Sequence, residues 1–89
     1  MAAEHKDLLV WLTQIERFLQ RENFLDAMAR ARRLIHEAER RLQASPDDLQ
    51  LAQLAALGRA RLDAASRAFE QKNRAVAEKR LSGLRSSEG

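Results

Sequence analysis

The chain has no cysteine, no tyrosine, a single proline and three glycines among its 89 residues. Without cysteine there is neither a disulfide framework nor a thiolate metal site. With so few chain-breaking residues and few β-branched ones, the composition argues for helix throughout. No glycine-rich loop is present to cradle a phosphate, and no serine or threonine has a base placed to activate it. The only apolar run near the start, Leu8 to Leu12, falls far short of the roughly 18 residues that span a membrane. It also lacks the basic start and small-residue cleavage site of a signal peptide, so a cytoplasmic protein with no membrane association is expected. Aromatic residues make up 4% of the chain, namely Trp11, Phe18, Phe24 and Phe69, too few for a base-stacking platform.

What is abundant is alanine, leucine, arginine, glutamate and glutamine. The net charge of +3 is unevenly spread: residues 1–29 sum to −2, 30–41 to +3, 42–58 to −2 and 59–85 to +5. Of the sixteen basic residues thirteen are arginine, whose planar fork suits carboxylate and phosphate.

Helical spacing divides the chain into three segments within one domain, expected over residues 1–84 and followed by a disordered tail, 85–89. Leu8, Trp11, Leu12, Ile15, Phe18 and Leu19 share one face of a first helix over about 4–21. Leu25, Met28, Ala31, Ile35, Ala38 and Leu42 form the stripe of a second, about 24–44. The two stripes are out of phase, which marks a kink or tight turn near Asn23. Asn23 suits an N-cap, with Asp26 in the acidic place of a capping box. Ser45-Pro46-Asp47-Asp48 reads as a cap serine, a proline in the first helical position and two acids against the dipole. A third helix is expected over about 46–84, with a seam of Leu51, Ala55, Gly58, Leu62, Ala65 and Phe69, then Val76, Leu81 and Leu84.

At about 1.5 Å per residue the segments measure roughly 25, 30 and 55 Å. The third helix therefore needs the first two laid end to end, or else extends past a folded-back pair. The expected fold is all-α, a three-helix bundle or a long antiparallel, coiled-coil-like hairpin. Either arrangement leaves apolar surface, and self-association, most simply as a dimer, is expected.

No constellation suggests an enzyme, a cofactor or a small-molecule substrate. His5 and His36 have no second ligand at metal spacing, so no metal site is expected. Asp47 and Asp48 are accounted for by the helix start. Arg30, Arg33, Arg40, Arg41, Arg67 and Arg74 are the candidate nucleic-acid face. Glu37 lies at spacings of three and four from Arg40 and Arg33, and acids interleave the third helix, which favours a solvated charged face. Trp11 and Val10 lie within an apolar turn that covers most of the first helix's circumference, a candidate docking surface. Phe69, Val76, Leu81 and Leu84 are candidate anchors for a partner along the third helix.

The stretches LLVWLTQIERFLQ, ENFLDAMARARRLIHEAERRL and FEQKNRAVAEKRLSGL, in that order, carry a resemblance. Together they resemble the bacterial FliT-like export chaperones of the flagellar and related type III secretion systems. These are short helical proteins with an early tryptophan on an amphipathic first helix, a short break, and a long third helix. The resemblance implies that the apolar face of helices two and three cradles a helical segment of a filament-cap or export-gate protein and keeps it from associating prematurely. The expected function is thus a helical protein-binding module, a secretion chaperone or adaptor. The alternatives are a small RNA-binding regulator and a structural coiled-coil subunit of a larger assembly.

Overall fold

A computed structural model describes residues 4–88, with side chains described through Gly83. It contains α1 (Lys6–Gln20), α2 (Phe24–Ala44) and α3 (Leu49–Glu88), and no strand among the described residues. The protein is an all-α three-helix bundle.

The break between α1 and α2 is a full reversal. The Arg21 N–H donates to the Arg17 carbonyl at 3.1 Å, that of Glu22 to Leu19 at 3.1 Å and that of Asn23 to Phe18 at 2.8 Å. The last two bonds form the paired closure that ends a helix through one left-handed residue. That residue is Glu22, at φ 60°. A side chain there costs roughly 1–2 kcal/mol, and glycine is the usual occupant. The capping box expected at Asn23 does not form, because the Asn23 side chain makes no cap bond. Its backbone amide is already committed to closing α1. With ψ at 68°, the residue lies short of the extended conformation usual for an N-cap.

The second junction also differs from expectation. α3 starts at Leu49, and Asp48 rather than Ser45 caps it: Asp48 Oδ1 accepts the Leu51 N–H at 3.2 Å. Ser45 instead opens a turn, its carbonyl accepting the Asp48 N–H at 3.1 Å. Pro46 then occupies the second turn position, where its fixed φ is equally at home. At the other end α3 continues past the expected boundary at 84 into the expected tail, as far as Glu88.

With both junctions reversing the chain, α1 and α3 run parallel and α2 antiparallel between them. Leu8 and Ile15 from α1, Leu34 from α2 and Leu51 from α3 are the largest fully buried side chains. Ala27, Ala31, Ala38, Ala55, Gly58 and Ala65 are buried as well, and these small residues let α2 and α3 approach closely. The Ser66 hydroxyl donates to Met28 Sδ at 3.3 Å across the same seam. The α2 stripe is centred one step away from expectation, with Leu34 buried and Leu25 63% exposed. At about 100° per residue Leu25 lies roughly 180° round the helix from Leu34, so it cannot share the face on which α1 and α3 meet.

The molecule measures 68 × 21 × 14 Å, with a radius of gyration of 18.1 Å. A compact domain of this length would have about 12 Å. The excess comes from α3. Its 40 residues reach about 60 Å, whereas the 21 of α2 cover only about 32 Å. Residues 70–83 consequently all count as exposed. Among the described residues, no helix is long and apolar enough to cross a membrane.

Candidate functional site

Where α2 begins and α3 runs on, the bundle has only two helices, because α1 has already turned back. This step opens a cleft of about 390 Å³ lined by Phe24, Leu25, Phe69 and Val76, with Glu22, Asp26, Lys72 and Asn73 among its rim residues. Phe24 and Phe69 are half-buried, while Val76 is 45% exposed. The Lys72 ammonium lies 5.8 Å from the Phe24 ring centre, a cation–π contact that leaves the charge at the mouth. The floor is therefore apolar, and the rim is charged on both sides.

Of the six candidate docking residues, the fold brings Phe69 and Val76 together in this cleft. Leu81 is 57% exposed, further along the arm. Twelve residues beyond Phe69, it lies about 120° round the helix, off the expected stripe. The Leu84 side chain is outside the described residues. Val10, 49% exposed on the outer face of α1, does not line the cleft. Trp11 is half-buried, with the Arg33 guanidinium 5.0 Å and that of Arg30 5.9 Å from its ring centre. Phe24 and Leu25 complete the cleft, although the apolar spacing places Leu25 in the core stripe of the second helix. The helical angle of Leu25 was the available signal.

The opposite end of the bundle is tied by polar contacts. Arg41 grips Asp7 with two hydrogen bonds, Nη1 to Oδ1 at 3.1 Å and Nη2 to Oδ2 at 2.5 Å. Its Nε donates to Glu37 at 3.0 Å, and Nη1 donates to His5 Nδ1 at 3.1 Å. A guanidinium can only donate, so His5 Nδ1 accepts and its Nε2–H points to Asp48 Oδ2, 2.9 Å away. One chain of contacts thus joins the starts of α1 and α3 to the end of α2. Hydrogen bonds from Arg40 and then Arg41 hold the Glu37 carboxyl down at about 2. The Asp7 carboxyl is lowered by Arg41, and that of Asp48 by His5 and the Leu51 amide.

This end corrects one expectation. His5 does meet possible metal ligands, since Glu4, His5 and Asp48 offer donor atoms within 4.8 Å of one another. The juxtaposition is tertiary, 43 residues apart for His5 and Asp48, and no local spacing encodes it. A cation on Nε2 would require a proton on Nδ1, where Arg41 already donates, and would also face the guanidinium charge. The geometry suits a latch between helices better than a cation site.

The candidate nucleic-acid arginines divide. Arg40 pairs with Glu37, Arg41 with Asp7 and Glu37, and Arg67 with Asp63. Arg30 and Arg33 flank Trp11, and Arg74 lies on the projecting arm. Three of the six are thus engaged with acids and two with the Trp11 ring.

Fold and cleft together define a class: a small all-α bundle whose longest helix outruns its cover and leaves an apolar groove open. No family model, curated protein or solved structure matches the chain.

Proposed function

We propose that this protein is a helical protein-binding module, a secretion-type chaperone or adaptor that shelters an amphipathic helical segment of another protein. The observation that carries this reading is the open cleft of Phe24, Leu25, Phe69 and Val76 at the step where α1 ends. Two helices forming an apolar trough with a charged rim offer what a third amphipathic helix needs: burial for its apolar side and partners for its flanks. No reacting group is required. The order of helices, with an early tryptophan on the first and a long third, supports a FliT-like role for the module.

The test is a nuclease-treated pull-down, comparing the protein with its Val76→Asp variant. Val76 is 45% exposed, so a carboxylate there leaves the helical circular dichroism unchanged. Beneath a bound helix the same carboxylate must give up its water in an apolar trough, and capture of a specific protein is expected to fall at least about tenfold. Capture that Val76→Asp leaves intact would contradict the reading. Capture that nuclease abolishes would shift attention to Arg30, Arg33 and Arg74 and to RNA.

A further inference from the structure

We propose that a second copy of this chain covers the cleft, each copy laying the projecting arm of α3 across the groove of the other. This rests on the cleft being a docking surface and names what covers it while no client is bound.

Three observations point to the second copy. The first is the arm itself. Val76 is the last α3 residue to line the cleft, and residues 77–83 beyond it are all exposed. An arm that only continues α3 has little beyond its own helical hydrogen bonds to hold it, and a surface to lie upon would add packing to them.

The second is charge. Glu22 and Asp26 stand on the rim of the cleft, and neither is ion-paired among the described residues. Arg74, Lys79 and Arg80, on the arm, are likewise without an ion pair among the described residues. On the Glu22 and Asp26 side of the groove an occupant should bring basic residues beside an apolar face, and the arm offers Arg74, Lys79 and Arg80 there, with Glu78 available to the Lys72 side.

The third is the division of faces on the arm. Val76 belongs to the wall of its own groove. Ala77 and Leu81 lie within about 40° of each other, and Leu81 lies about 140° round from Val76. The arm therefore has one face that walls a groove and another that can fill one. A two-fold arrangement uses both in each copy, wall to plug and plug to wall, which is the self-complementarity a closed dimer requires.

The experiment is sedimentation velocity over a wide concentration range on the full chain, with Leu81→Asp on the plug and Leu25→Asp on the wall. Both positions are exposed, at 57% and 63%, so both variants keep the fold. The unaltered protein is expected to be a dimer, and each variant to dissociate at least about tenfold more readily. Mixing the two variants should restore association in part. A Leu25→Asp chain still has an intact plug for the intact groove of a Leu81→Asp chain. A protein that stays monomeric, a dimer indifferent to both substitutions, or a mixture no tighter than its components would each overturn the proposal. Leu81→Asp leaves the groove unaltered, so capture of another protein by that variant tests the docking reading separately. A monomer that still captures a client in a Val76-dependent way would refute the second copy and spare the module.

Discussion

Leu34→Ala is expected to cost about 2–5 kcal/mol, the range for truncating a fully buried leucine. Leu34 is 0% exposed at the centre of α2, on the face where α1 and α3 both pack. Removing its branched end leaves a cavity that the stiff small-residue seam around it cannot close. A domain of this length has total stability on the order of 4–13 kcal/mol, so the loss is a large share of the whole. Urea unfolding measures it directly. Leu25→Ala is the control, since at 63% exposure the change should fall within about 0.5 kcal/mol. The two leucines sit nine residues apart on one helix. Equal costs at both would mean that the core is not centred on Leu34.

The second large effect is at Gly58. A Cβ there would stand 2.9 Å from Ile35 Cγ1 and 3.5 Å from Leu34 Cδ2. The first distance is closer than carbon atoms tolerate, and the atom belongs to a β-branched side chain with little rotamer freedom. Replacing a helical glycine by a better helix former returns up to about 1 kcal/mol. Overpacking a close seam costs about 1–3 kcal/mol. For Gly58→Ala the two nearly offset. For Gly58→Leu the added methylenes must push α3 away from α2, and a net loss of about 2 kcal/mol is expected. In a domain of this size that lowers the melting temperature by roughly 8–16 °C. A Gly58→Leu protein that melts no lower than the original would contradict the close approach of the two helices.

The helices themselves were legible in the residues. Apolar spacing, the scarcity of glycine and proline and the phase slip near Asn23 located all three, because these are local properties of the chain. What escaped was whatever depends on neighbours. Glu22 takes a left-handed conformation without the glycine that would have announced a reversal. Whether α1 continued along α3 or folded back was therefore open until the turn was seen. Ser45-Pro46-Asp47-Asp48 satisfies the rules for a helix start and for a turn equally well. The carboxylate of Asp48 decided between them by reaching the Leu51 amide. Leu25 read as core because its type fits, although its angle on the helix does not. The meeting of His5, Arg41 and Asp48 joins all three helices, and no pattern along the sequence could display it.

Half of the candidate site is visible in the sequence for the same physical reason. Phe69 and Val76 stood out where α3 becomes polar, a compositional signal that survives in any fold. Phe24 and Leu25 became groove residues only because α1 stops opposite them. Val10 and Trp11 were singled out by a dense apolar turn, but the fold covers Trp11 with Arg30 and Arg33 and places neither residue at the cleft.

α3 is two things in sequence: a core helix as far as Phe69, and beyond it an arm left open to a covering surface. Amide hydrogen exchange along α3, measured in dilute solution, tests this most directly. Strong protection from Leu51 to Phe69, falling away from Asn73 onward, is the expected profile. Uniform strong protection through Gly83 in the dilute monomer would show the arm to be self-supporting, and would contradict it.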